Sequence, residues 1–267
     1  MHILNAEYDV FVCGSDQIWS VLDKNFDGYY YLDFSTNKKI SYATSIGANT
    51  IPENKAEQIA EWLKSFHAIS VREKKTSEQL SDITGKKIQW VCDPTLLHDK
   101  NFWDNFCVRI NDKPKKYLLC YLLSNKSWYF QYAHHLAKHL KLKLVLIPSC
   151  TDYTKYKECH KNGVGPREFV SLIKDAEFIL TDSYHGSIFS LLFQKEFLCL
   201  KRFDDDDPIN QNIRVDSLFE KCDLMDHIVP EGIFSPEDIK STDYKKINDL
   251  LERFRIESRN YLYQNLS

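Results

Sequence analysis

The sequence predicts an α/β fold built as two successive units, each with a parallel sheet covered by helices. Three observations predict it. Short apolar, β-rich runs alternate with segments whose apolar residues recur at helical spacing, the rhythm of parallel sheets. That rhythm breaks once, at the polar, charged, Pro-containing stretch 111–116 (NDKPKK), and then restarts, as it would after an interdomain linker. The length, 267 residues, suffices for one large core or two modest ones.

Taken in order, residues 8–13 (YDVFVC) read as a strand ending at Gly14-Ser15-Asp16, and 40–45 as a second strand ending before Gly47. Pro52 opens a helix in which Ala56, Ile59, Ala60, Leu63 and Phe66 share one face. A strand at 68–71, a helix at 75–80 and a strand at 89–92 complete the first unit. After the linker come a strand at 117–123, a helix at 127–140 and a strand at 142–147. A helix at 164–174 follows, with Pro166 in its first turn. The second unit ends with a strand at 178–181, a helix at 186–193 and a strand at 196–200. From Tyr244 on, Ile247, Leu250, Leu251, Phe254, Tyr261 and Leu262 recur every three or four residues, and Lys245, Glu252, Arg253 and Arg255 occupy the other face. A docking helix is expected there; a membrane-surface helix would carry a mostly basic polar face. The expected division is 1–112, 113–240 and a C-terminal docking helix at 241–267.

Composition narrows the function. Lys plus Arg (35) against Asp plus Glu (38) leaves a formal charge of −3, which argues against a nucleic-acid partner. No apolar run approaches the ~20 residues that span a bilayer, and the start MHILNAEYDVFVCG lacks the basic leader and long apolar run of a secretory signal. Of eight cysteines, Cys13, Cys92, Cys120 and Cys199 sit inside apolar strand-like runs, as small buried hydrophobes do. Reduced structural thiols in a cytoplasmic protein are expected. Cys150, Cys159 and His160 lack a fourth ligand at zinc spacing, and the acidic run 204–207 reads as a solvated loop, with a divalent-metal site as its alternative. No metal and no cofactor is expected.

Three stretches carry chemistry. In 176–193 (AEFILTDSYHGSIFSLLF) a buried strand runs into Thr181-Asp182-Ser183-Tyr184-His185-Gly186 and then an apolar helix. Ligands of open α/β sheets bind beyond the carboxyl ends of strands, and a helix start suits a phosphate or carboxylate. Gly186 would let an anion approach the backbone, Ser183 and Ser187 would donate hydroxyls, and His185 is the obvious group for acid-base work. The bland alternative is a helix cap at Asp182 or Ser183 and a satisfied buried His185. In 8–19 (YDVFVCGSDQIW) a strand again ends at a turn, and Ser15, Asp16 and Gln17 are expected to meet sugar hydroxyls, with a capped tight turn as the alternative. In SVRE (70–73), Arg72 follows a strand and could hold a carboxylate or phosphate in bidentate fashion; the alternative is an Arg-Glu surface pair. The cluster Gly28-Tyr29-Tyr30-Tyr31 has no assigned role.

Together these stretches resemble the polysaccharide pyruvyl transferase family. The resemblance is carried by YDVFVCGSDQIW (8–19), KISYATSIG (39–47), ISVREKKTSEQL (69–80), VCDPTLL (91–97), YLLCYLL (117–123), residues 164–193 and NIRVDSLF (212–219), in order over nearly the whole chain. It implies two Rossmann-like lobes in a GT-B-like arrangement. The N-terminal lobe is expected to be shortened, because such proteins usually begin with a further strand and a Gly- and Asn-rich turn. It implies a cytoplasmic enzyme that moves the pyruvyl group of phosphoenolpyruvate onto a sugar of a bacterial surface polysaccharide, with at most peripheral contact at the inner face of the membrane. His185 is implied as the catalytic residue. Arg72, Ser183, Tyr184, Gly186, Ser187 and Arg214 are implied on the donor side, and Ser15, Asp16 and Gln17 on the acceptor side. Some branches carry Arg where Ser183 stands here, so charge neutralisation must come from elsewhere. A nucleotide-sugar glycosyltransferase on the same fold and a non-catalytic family member are the rival expectations.

Overall fold

A computed structural model describes residues 2–23, 26–149, 161–232, 235, 239 and 241–266. The chain divides into two compact units. The first holds Met1–Leu97, Phe203–Asp223 and Asn248–Ser267; the second holds His98–Arg202 and Leu224–Ile247.

In the first unit, α1 (His2–Glu7) precedes β1 (Val10–Cys13), β2 (Lys38–Ser41), α2 (Glu53–Leu63), β3 (Ile69–Val71), α3 (Lys74–Thr84) and β4 (Ile88–Trp90). β1 pairs with β2 and β3 with β4, both parallel. Single parallel bridges, Ile40 to Ala68 and Thr44 to Val71, join the two pairs into the order β1-β2-β3-β4. On one face Trp19, Tyr31, Ile59, Leu63, Phe66 and Leu80 form the core, with the Trp19 and Tyr31 rings stacked at 4.9 Å.

The long helix α9 (Tyr244–Leu266) supplies the other face from Asn248 on. Tyr261 packs with Tyr42 and Val91 and its hydroxyl donates to the Ser41 carbonyl at 2.8 Å. Ser258 accepts the Cys92 N–H at 2.8 Å, and the buried Arg255 donates from Nε to the Leu96 carbonyl at 2.7 Å. These bonds occupy backbone groups at the end of β2 and in the segment that follows β4.

The second unit contains α4 (Lys100–Phe106), β5 (Tyr117–Tyr121), α5 (Ser127–His139), β6 (Lys143–Ile147), α6 (Pro166–Asp175), β7 (Phe178–Thr181), α7 (Tyr184–Leu192), β8 (Glu196–Leu200) and β9 (Ile228–Val229). Its five strands are ordered β6-β5-β7-β8-β9 and all neighbours are parallel. The chain first steps from β5 to β6, then crosses back over β5 to β7. The order therefore reverses between β5 and β7, where doubly wound sheets open a crevice at their carboxyl edge. Tyr129, Phe130, Ala133 and Leu136 of α5 pack against Leu118, Cys120, Leu180 and Leu198 of the strands.

The alternation of strands and helices is thus as the sequence predicted, while the unit boundary is displaced from the expected residue 112. α4 belongs to the second unit because Trp103 packs edge-on to Phe189 at 4.9 Å, Asp104 pairs with Lys174 at 2.8 Å, and the Phe106 carbonyl accepts from Arg167 Nε at 2.9 Å. The chain also returns to the first unit at Phe203. There α8 (Ile213–Cys222) is anchored by the Lys74 N–H donating to Ser217 Oγ at 3.2 Å and by a Lys74–Glu220 ion pair.

Cys13, Cys92, Cys120, Cys199 and Cys222 are buried and unbridged, and burial pushes the Cys13 thiol up to about 12. Cys150, Cys159 and His160 lie outside the described residues. Among the described residues no helix is long and apolar enough to cross a membrane.

Candidate active site

The TDSYHG stretch lies at the carboxyl edge of the second sheet. β7 is buried along its whole length and ends at Thr181, whose hydroxyl donates to the Tyr121 carbonyl at 2.7 Å and accepts the Ser183 N–H at 3.1 Å. Asp182 is buried and spans the crevice to the loop after β5, accepting the N–H groups of Leu123 at 2.5 Å and Ser124 at 2.9 Å. Burial raises its carboxyl above the ordinary range, and the two backbone bonds and the charge of Arg202 offset only part of that rise. Ser183 is the helix cap, its Oγ accepting the Gly186 N–H at 3.3 Å, and Ser187 Oγ donates to the Ser183 carbonyl at 3.1 Å. The hydroxyls that the sequence offered to a ligand are therefore also the ones that close the first turn of α7.

His185 is the second residue of α7. It is half-buried, while its neighbours Tyr184 and Gly186 are buried, and the Tyr184 ring lies 5.4 Å from it at 74°. Gly186 is closely packed. A Cβ built on it would stand 2.3 Å from Thr181 Oγ1 and 3.1 Å from Thr181 Cβ, so the helix start rests directly on the end of β7. Gly186→Ala is expected to lower the stability of the protein by about 1–3 kcal/mol, read as a shift in the urea midpoint at constant slope. An unchanged midpoint would mean that the helix start yields without cost.

The GSDQIW stretch lies at the carboxyl edge of the first sheet. Gly14 has φ +128, and a Cβ there would stand 2.1 Å from the Tyr42 carbonyl oxygen, so only glycine lets β1 turn this close to β2. Ser15 Oγ donates to the Ala43 carbonyl at 2.7 Å. Asp16, left-handed at φ +73, accepts the Ser45 N–H on its carbonyl at 2.9 Å. Gln17 Nε2 lies against Gly47, 2.1 Å from where a Cβ would be, and donates to Gln211 Oε1 at 2.8 Å. Arg214 Nη2 donates to the same oxygen at 3.1 Å.

Arg72 is the hub of this edge. Its side chain is wholly buried and pairs with Asp16 at 2.7 Å, Asp93 at 3.0 Å and Glu73 at 3.4 Å. Asp93 also accepts from the N–H and Oγ1 of Thr95 at 2.9 and 2.6 Å. The surface Arg-Glu pair considered from sequence does not exist, since the Glu73 side chain is as buried as Arg72. A donor-holding role for Arg72 would have to compete with carboxylates from three strand ends. Asp16 is the outlying member, with a side chain 66% exposed. A carboxylate fixed at one oxygen by a buried guanidinium and open to solvent is suited to accept hydroxyl protons or hydrogen bonds.

The sequence candidates thus fall into two groups, Ser15, Asp16, Gln17, Arg72 and Arg214 in the first unit and Ser183, Tyr184, His185, Gly186 and Ser187 in the second. Gln211, Asp93 and Arg202 were not foreseen as members. The acidic run 204–207 forms a tight loop in which the Asp204 carbonyl accepts from Asn210 Nδ2 at 3.0 Å and Asp207 Oδ1 accepts the Ile209 N–H at 2.9 Å. Among the described residues no cluster of His, Cys, Asp or Glu is arranged to hold a metal.

Compared with known proteins, the chain matches a family model described as polysaccharide pyruvyl transferase over residues 1–204. The match takes in both the GSDQIW and TDSYHG stretches, and NIRVDSLF lies beyond it. Among solved structures the chain is similar to the glycotransferase of kitacinnamycin, with a TM-score of 0.51 at 13% identity over 97% of this chain and 76% of that one. The UDP-GlcNAc 2-epimerase from Methanocaldococcus jannaschii is aligned with a TM-score of 0.49 at 14% identity, over 94% of this chain and 71% of that one. The first likeness is one of fold, GT-B-like with parallel α/β sheets. No curated protein matches the chain.

Proposed function

This chain belongs to the polysaccharide pyruvyl transferase family, and from that premise we propose that it moves the pyruvyl group of phosphoenolpyruvate onto two hydroxyls of one sugar as a ketal, releasing phosphate. The observation that carries the reading is the family match over 1–204, which includes a half-buried imidazole at one sheet edge and a clamped, exposed carboxylate at another. The acceptor is a sugar of a bacterial surface polysaccharide, free or lipid-linked, and the reaction is placed in the cytoplasm.

The proton balance of this reaction is simple. Two sugar hydroxyls give up two protons; one ends on the methylene carbon, which becomes the methyl group, and the other leaves with phosphate. Protonating the methylene creates an oxocarbenium-like centre that the hydroxyls attack in turn. His185 supplies the proton at carbon or to the departing phosphate. Ser183, Tyr184, Gly186 and Ser187 shape the turn that presents it. Asp16 receives a sugar hydroxyl, held in place by Arg72, and Ser15 and Gln17 complete the acceptor side. The scheme requires neither a metal nor a cofactor.

A thermal-shift series with phosphoenolpyruvate, UDP and GDP tests it. Phosphoenolpyruvate at a hundredfold excess over its dissociation constant is expected to add about 2.7 kcal/mol of stability, a rise of several degrees. Stabilisation by a nucleoside diphosphate alone would favour a nucleotide-sugar transferase, and none by any of the three would favour a non-catalytic member.

A further inference from the structure

Phosphoenolpyruvate carries a carboxylate and a phosphate, and neither arginine named from the sequence belongs to the unit that carries His185. Arg72 and Arg214 both lie in the first unit, and Arg72 is paired with three carboxylates there. We propose that Arg202, at the carboxyl end of β8, is a donor-binding residue that holds the anionic portion of phosphoenolpyruvate beside His185. The inference rests on the pyruvyl transferase reading.

The placement follows from strand register. β8 lies next to β7 in parallel, with Thr181 opposite Cys199. The residues that leave β8 therefore emerge at the same sheet edge as Asp182 and Ser183. The backbone there is pinned from two sides, because the Lys201 N–H donates to the Val229 carbonyl at 2.8 Å and the Tyr129 hydroxyl donates to the Lys201 carbonyl at 3.0 Å. Arg202 is half-buried, so its charge is only partly screened by water.

Its charge reaches the site. Arg202 is among the groups that lower the proton affinity of the buried Asp182 carboxyl and of the Tyr129 hydroxyl. Asp182 spends its two oxygens on the N–H groups of Leu123 and Ser124, and Ser183 closes the first turn of α7. Residue 202, the start of α7 and His185 thus all follow the carboxyl ends of two adjacent strands, β8 and β7. A planar guanidinium matches a phosphate or carboxylate with two parallel hydrogen bonds.

The test is calorimetric titration of phosphoenolpyruvate into the full chain, the Arg202→Gln variant and the Arg202→Lys variant, with thermal unfolding of each to establish folding. Loss of a charge-assisted pair is expected to weaken binding to the Gln variant roughly ten- to a hundredfold. The Lys variant keeps the charge but loses the fork, and is expected to fall between the two. Should the Gln variant not fold, the Lys variant carries the test. Folded variants that bind as tightly as the parent overturn the assignment and leave the pyruvyl transferase reading standing. A parent chain that does not bind phosphoenolpyruvate overturns both.

Discussion

Replacing Arg72 with methionine is expected to cost about 3–5 kcal/mol of stability at neutral pH, the usual consequence of removing one member of a buried ion pair. Methionine keeps an unbranched stem and much of the volume, so the loss is electrostatic more than steric. Asp93 is 3% exposed and the Glu73 side chain 0%, and both would face the interior without their shared cation. Asp16 would lose its anchor but keep its water. The cost should depend on pH in a definite direction. Burial already raises the Glu73 carboxyl, while the charges of Arg72 and Arg214 and a hydrogen bond with Ser45 lower it. An acid raised in the folded state keeps its proton after the unfolded chain has released its own. Its contribution to stability is complete below the unfolded value and is lost as pH rises through the folded one. Without Arg72 the Glu73 carboxyl moves further up. Urea unfolding of the variant should therefore show a smaller deficit at about pH 5 than at about pH 7. A deficit that is small and the same at both values would mean that Arg72 is not the group that makes the buried carboxylates tolerable.

The same cluster marks the limit of what the sequence could disclose. The strands around Val12, Val71, Leu119 and Ile179 were legible because β-rich runs ending in turn residues follow local rules, and α9 was legible from its apolar stripe. The capping role of Ser183 was legible as one of two alternatives. The partners of Arg72 were not. Asp16 is 56 positions away and Asp93 21, and only the pairing of β1 with β2 and of β3 with β4, together with the bridges that join the two pairs, brings the ends of these strands to one edge. The packing of Gly186 was hidden for a similar reason, since the side chain that forbids a Cβ there belongs to Thr181, five residues back across a strand-to-helix turn. Arg202 had a weak signal, two cations directly after the apolar run FLCL, but its nearness to Asp182 depends on β8 lying next to β7. The helices α4 and α8 escaped because their apolar residues did not stand out as a separate stripe.

The largest effect on activity is expected at His185. Under the proposed reaction, His185→Ala should lower kcat roughly 10²–10⁴-fold, the range for loss of a positioned general acid or base. The folded structure should survive. His185 stands in the first turn of α7, where alanine is the better helix former. Its half-buried ring leaves α7 held by other means, namely the Thr181 and Ser183 bonds and the buried residues from Ile188 to Leu192. Donor affinity should fall much less than turnover, because the charge on phosphoenolpyruvate is met by Arg202 and the helix start, and His185 acts on a proton. Measuring phosphate release at saturating donor, together with direct titration of phosphoenolpyruvate, separates the two. A variant that releases phosphate at the parental rate would remove His185 from the chemistry. A variant that keeps turnover per bound donor but binds it a thousandfold less well, by about 4 kcal/mol, would recast the residue as an anion holder.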